Sequence, residues 1–415
     1  MNVEIEFGRG TVTLEVGDGR LAGVIEPRPA EALADPAKAI ETSLEQPLGS
    51  PPLEEVLRGK ESALILTVGQ AYPSPRDLLL PILRRCQAQD VFATICIAHG
   101  ARRQMTPAEL KNHLGADLVL GPVVQQDAWS DELHIERGVT SRGTPVRLNR
   151  YARASRMLLA VGFVEPSQRY GFAGAKDLVV PGIAHHLTIS ANHRWLFHPD
   201  AQVGMMYGNP VSDDAEEAAA QAPLLWVTHA VLSAERKPTR VISGRPRRAH
   251  LAACRAARGI YEAPRRQAKI VVASAGGNPG DFDLSLAAEA LAPAARMVEP
   301  GGAIVLVAEC GDGWGPEPAL REWLCERSPQ EILEQAPSSA ASALGVHGAY
   351  LAARPAVEKG AAVILVTSAE MAAAMDGSFV RACTDLGEAM ALAQSHVGDG
   401  ASVAVLRHGR RMILA

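Results

Sequence analysis

A chain of 415 residues exceeds what one hydrophobic core supports, so two or three domains are expected. Hydrophobic residues at 47% and charged residues at 21% describe a globular protein, and a formal net charge of -5 gives no electrostatic basis for binding nucleic acid or an anionic membrane. Aromatics at 4% leave little on which bases could stack, and no apolar run approaches the ~20 residues of a membrane span. The six cysteines, at positions 86, 96, 254, 310, 325 and 383, form no C-x-x-C pair and suit reduced thiols in a cytoplasm. The opening MNVEIEFGRG lacks the basic and apolar stretches of a secretory signal.

In chain order, residues 3–7 and 11–16 alternate around a Gly-Arg-Gly turn and predict a β-hairpin. A short helix is expected over 36–44 with Asp35 as its N-cap. The apolar run 63–68 predicts a strand buried on both faces, and a Pro-rich turn then leads to a helix over 76–89. A strand over 91–97 and a helix started by Thr106, Pro107 and Glu109 follow. Residues 157–161 predict another buried strand. Beyond it come a helix over 213–221, a strand over 224–232, a helix over 249–261 and a basic, proline-containing linker over 262–269. A second series of strands (270–273, 303–307, 361–366, 403–406) alternates with helices (284–297, 317–326, 329–335, 341–353, 367–375, 385–396). Strand, loop and helix in this repetition predict an α/β protein with mostly parallel sheets in two domains, 1–265 and 266–415, the last segment free to return to the first. Ligands in such sheets bind beyond the carboxyl ends of the strands.

The stretch 162–193, GFVEPSQRYGFAGAKDLVVPGIAHHLTISANH, is read as a loop that concentrates chemistry at such an end. It combines glycines, which let backbone approach a ligand, with a lysine, an aspartate and three histidines. No G-x-G-x-x-G follows a strand, and G-x-x-x-x-G-K-[ST], H-E-x-x-H and G-x-S-x-G are absent. GFAGAK at 171–176 has the wrong spacing for a phosphate loop.

Taken together, the loops resemble the nickel-dependent lactate racemases. The resemblance rests on P-S-P at 73–75, and on AHGARRQMTPAEL at 98–110 against a family A-T-G-x-H-R-x-M-T-x-E-E-L. It continues in VGFVEP at 161–166, GFAG at 171–174, PGIA at 181–184 and ANH at 191–193. GNPV at 208–211, SAGGNP at 274–279 and VAECGDG at 307–313 complete it. The resemblance implies two α/β domains with the site in the cleft between them. In the family a lysine holds a nickel-pincer nucleotide covalently, a histidine ligates the nickel, and two opposed histidines move the proton while hydride passes to the cofactor and back. That logic inverts a 2-hydroxy acid.

Counting along the motifs, the two base histidines fall on Arg102 and Ser167, neither of which is a base at neutral pH. The cofactor lysine falls on Asp177, with Lys176 one place early, so a one-residue bulge restores it. Family positions also fall on Gly69, Tyr72, Ser285, Leu286, Glu289 and His347, while His193 keeps the nickel-ligand position. Two classes of function follow. One is a racemase or epimerase of another 2-hydroxy acid or sugar acid with a rebuilt site, for which ordinary lactate racemisation is not expected. In it Lys176 anchors the cofactor alongside Gly171, Gly174 and Pro181, Asp177 is the base, Arg102 clamps a carboxylate, and His193 with His185 or His186 binds metal. The other is an inactive relative that keeps the fold to bind a ligand or partner.

Overall fold

The unbroken apolar runs become the central strands of two sheets in a computed structural model that describes residues 1–154, 157–339 and 344–415. The chain forms two compact units, residues 29–260 and residues 1–28 with 261–415. Each unit is α/β with a parallel-rich sheet flanked by helices.

In the unit 29–260 the sheet order is Pro238–Gly244, Leu224–Leu232, Leu158–Phe163, Ser62–Val68, Phe92–Ala98 and Val123–Gln125. Only the first pair is antiparallel. Leu158–Phe163 is buried along its whole length, as its uniform apolarity requires of a strand covered on both faces. Asp35 caps the helix Pro36–Glu45 by accepting the Lys38 N–H at 2.9 Å, and Thr106 and Glu109 form a reciprocal capping box on Pro107–Leu114.

In the other unit the order is Arg381–Cys383, Ala362–Val366, Val298–Val307, Ala268–Ser274, Val403–Leu406 and Leu21–Ile25, every neighbour parallel. The hairpin Asn2–Phe7 and Gly10–Glu15 packs Ile5, Leu14 and Val16 into one core with Val272, Val305, Ala389 and Met390.

The division differs from the sequence expectation at both ends. Residues 1–28 leave the expected first domain because Leu21–Ile25 completes the sheet beside Val403–Leu406. The last segment stays in its own unit, where Ile413–Leu414 pairs with Glu262–Ala263, and that pairing turns the start of the expected linker into a short strand. The helix expected over 284–297 is broken into Leu284–Ala287, a 3-10 turn and Leu291–Met297. Pro293 falls in the first turn of the last piece, where a missing N–H costs nothing. The helix expected from 341 begins at Val346, and positions 341–343 lie outside the described residues. Residues 162–193 are not one loop, since they end in the helix His186–His193.

Deleting residues 1–28 removes an edge strand and four buried apolar side chains, Ile5, Leu14, Val16 and Ile25, worth ~1.5–3 kcal/mol each. Calorimetry is expected to show the transition of the 261–415 unit lowered or lost, while that of 29–260 keeps its midpoint.

Candidate active site

The candidate site in the unit 29–260 is built where the strands Ser62–Val68, Phe92–Ala98 and Leu158–Phe163 end. Gly162 lets the following segment fold back: a Cβ there would lie 3.0 Å from Val68 Cγ1 and 3.6 Å from Leu178 Cδ1. The chain turns through a two-residue hairpin, Pro166–Ser167 with Gly171–Phe172. The Ser167 hydroxyl accepts the N–H groups of Arg169 and Tyr170 at 3.2 Å, so it serves as a turn cap. A 3-10 turn, Ala175–Leu178, then carries Lys176 and Asp177. After a cis Val180–Pro181 bond, Gly182 C=O accepts the Gly100 N–H at 2.9 Å, tying this segment to the loop that holds His99 and Arg102.

Lys176 is 8% exposed, and its Nζ has three acceptors. It donates to Phe172 C=O at 3.1 Å, faces Asp177 Oδ1 at 3.3 Å, and reaches His250 Nε2 at 3.5 Å. The ammonium also lies 5.9 Å from the centre of the Tyr170 ring. Burial pushes the Asp177 carboxyl up to about 6 against the pull of Lys176, while its Oδ2 accepts the Gly174 N–H at 3.1 Å. Tyr170 Oη and His193 Nε2 are 3.0 Å apart, so phenol, imidazole and amine form one group. A cavity of about 520 Å³ opens onto it, lined by Lys176, Tyr170, Phe172, Arg247, His250 and Cys254 among others. Its size lies in the range of small-molecule sites.

Comparison with known proteins decides what this architecture is. A lactate racemase N-terminal domain model matches residues 7–204, and a lactate racemase C-terminal domain model matches residues 263–414. The chain belongs to the lactate racemase family. Lactate racemase of Thermoanaerobacterium thermosaccharolyticum is 28% identical over 424 residues, spanning 100% of this chain and 99% of the relative. Lactate racemase of Lactiplantibacillus plantarum is 29% identical over 343 residues, 80% of this chain and 81% of that protein. The solved lactate racemase apoprotein from T. thermosaccharolyticum superposes with a TM-score of 0.89 at 28% identity, with both chains fully covered. A protein from Thermotoga maritima shares the fold alone, with a TM-score of 0.71 at 15% identity over 94% of this chain and 100% of that one.

Within this family fold, the structure brings together Lys176, Asp177 and, through Tyr170, His193. It does not bring His185 to them. His185 and His193 stand at opposite ends of one helix, about 12 Å apart along its axis at 1.5 Å per residue, so they do not face one ion. His185 caps that helix through Leu187 N–H and faces Asp131 at 3.2 Å, while His186 stacks on Trp129 at 4.6 Å. Among the described residues, no three of His, Cys, Asp and Glu gather as a metal set. Arg102, half-buried on the adjacent loop, does not line the cavity. Gly171 and Gly174, expected beside a cofactor, make room for protein instead. A Cβ would come 2.0 Å from Met205 O at Gly171 and 2.3 Å from His250 Nδ1 at Gly174. Pro181 packs against Gly100.

Sequence reasoning missed Tyr170, His250 and Cys254. It also passed over His99, which fills the space left open by Gly69, where a Cβ would lie 2.7 Å from His99 Nδ1. Gln125 is fixed by Met105, accepting its N–H at 2.8 Å and donating to its C=O at 3.0 Å. Its Oε1 therefore accepts from His99 Nε2 at 2.9 Å, and Nδ1 is left a buried acceptor with no partner. Burial lowers the His99 imidazole to about 4. A depressed histidine stabilises the fold above its unfolded value near 6.5, and the contribution, about 3 kcal/mol, is lost as pH falls toward 4. Melting curves between pH 7 and 4 are expected to flatten in His99→Gln relative to the parent.

Proposed function

We propose that this family member is a racemase- or epimerase-type isomerase of a 2-hydroxy acid or sugar acid, with a site rebuilt around Lys176 and Asp177. The observation that carries the reading is the convergence of Lys176, Asp177, Tyr170 and His193 beside a ligand-sized cavity. The relatives that span the chain are lactate racemases, which supports chemistry on a small hydroxy acid. The residues present fit a nickel-pincer nucleotide in two respects: Lys176 offers a cavity-lining amine, and His193 offers an imidazole one phenol away. When bound, such a group would supply a hydride acceptor and donor beside these residues.

The chain's own residues supply the rest. Asp177, raised to about 6 by burial, is still ionised at neutral pH and is a stronger base than an ordinary carboxylate. Arg102, which does not line the cavity, takes no part in the proposed site. Tyr170 holds His193 in a fixed orientation. Ser167 is spent on its turn, so the position that carries a base histidine in the family resemblance has no proton acceptor here.

Protein co-produced with the family's cofactor-synthesis enzymes should carry stoichiometric nickel and a covalent mass increment, both lost in Lys176→Ala. Chiral chromatography over a panel of 2-hydroxy and sugar acids should find one epimerised and lactate untouched. The rate should rise with pH through about 6 as Asp177 ionises, and Asp177→Asn should cost ~100-fold or more and flatten that profile. Tyr170→Phe should lower nickel retention more than it lowers thermal stability.

The turn-capping role of Ser167 also favours a second reading, a relative that binds a ligand without chemistry. Unmodified mass, no metal and no turnover, together with saturable binding of a hydroxy acid, would select it.

A further inference from the structure

We propose that the open edge of the strand Pro238–Gly244 is a docking site for an extended, acidic segment of a partner protein. The segment adds a strand to the sheet in the groove beside the helix Pro36–Glu45. The surface belongs to the unit 29–260 and is independent of the isomerase reading.

Pro238–Gly244 ends its sheet, paired on one side with Leu224–Leu232 and on the other with no strand. In an antiparallel pair the N–H and C=O of a residue share one side, and that side alternates along the chain. Ser243 C=O accepts the Leu48 N–H at 2.8 Å, and Leu48 C=O accepts the Arg245 N–H at 3.0 Å. Residues 243 and 245 therefore face outward, and Val241 with them. At the far end Pro238 C=O accepts the Leu33 N–H at 2.9 Å. Between these two ties, the N–H and C=O of Val241 have no partner among the described residues. Open backbone groups of this kind are a template for a further strand.

The connection between the ties does not close the edge. Residues 36–45 form a helix about 15 Å long at 1.5 Å per residue, and its short side chains Ala39 and Ser43 leave space. The groove between helix and strand holds about 490 Å³ and is lined also by Lys38, Thr42, Arg240 and Val241. Ser43 Oγ and Ser243 Oγ, 2.8 Å apart, join its two walls. Leu33 and the exposed Leu48 add apolar surface. Main-chain bonds along an edge, with side-chain contacts beside them, are what strand addition requires.

Charge decides the occupant. Lys38 and Arg240 line the groove, Arg245 follows the strand, and Arg248 packs against Gly49 next to Leu48. All four are exposed, and none has a carboxylate partner among the described residues, in a chain of formal net charge -5. The nearby acids are committed, Asp35 to capping the helix and Glu41 and Glu45 to Arg85. A second copy would set its own Arg240 and Arg245 against these, so like charges oppose self-pairing. Nucleic acid would meet the cations and leave Val241 unsatisfied. An acidic strand satisfies both.

The test titrates the intact chain into a fluorescein-labelled peptide of alternating glutamate and valine and follows anisotropy. Saturable binding that weakens with added salt is expected. Methylating the peptide's backbone nitrogens should weaken it ~10-fold or more, because the donors to the edge are lost. Arg240→Glu should weaken it ~10-fold at unchanged melting temperature. Amide exchange in residues 238–244 should slow on binding. Equal affinity of the methylated peptide would overturn the proposal, since charge alone would then suffice. Tighter binding of an oligouridylate of equal charge would overturn it in favour of nucleic acid. No saturable binding, or unchanged exchange in 238–244 at saturation, would overturn it without any variant. None of these readouts depends on turnover or cofactor, so failure here leaves the isomerase reading untouched.

Discussion

A buried ammonium needs an acceptor for each of its three hydrogens, and Lys176 meets that requirement with a carbonyl, a carboxylate and an imidazole drawn from three places in the chain. Leaving such a charge unpaired would cost several kcal/mol, so the acceptors and the backbone that carries them must be set together. The short hairpin supplies the Phe172 carbonyl, the 3-10 turn supplies Asp177, and the helix Pro246–Tyr261 supplies His250. Gly174 is the hinge of the arrangement, since any side chain there would fill the place of the imidazole.

The surrounding sheet gives this cluster its rigidity. Three parallel strands end beneath it, and the backbone bond from Gly100 to Gly182 clamps two strand-end loops against each other. That is the usual place for a site in an open α/β sheet. The lactate racemase family supplies the scaffold, and the chemistry is decided by which side chains the loops present. Here the Ser167 hydroxyl, held by two backbone N–H groups, has a structural duty that a base could not share.

Much of the scaffold was legible from local signals. The apolar strand Ser62–Val68, the Asp35 cap and the Thr106–Glu109 capping box each depend on residues within a few positions of one another. Leu21–Ile25 was hidden because it reads as a short mixed segment, and what makes it a strand is a partner almost 400 residues away. The site followed the same division. Lys176, Asp177 and His193 stood out by residue type within one glycine-rich stretch. His250 lies in a basic helix that looks like a solvated face, and its meaning depends on a missing side chain 76 positions earlier. The pairing of His185 with His193 failed because the segment joining them proved helical, and a helix separates by length what a loop could have folded together.

The placement of the N-terminal segment bears on how the chain is made. Leu21–Ile25 is synthesised well before the strand it pairs with, Val403–Leu406. The unit 29–260 lies wholly between them in sequence and can fold while its neighbour is still incomplete. Throughout that interval the hairpin that carries Ile5 and Leu14 has no core to join, and its apolar face is open to other chains. Closing so long a loop is slow, which makes translation and chaperone supply, rather than the folded contacts, the setting in which this protein is most vulnerable to aggregation.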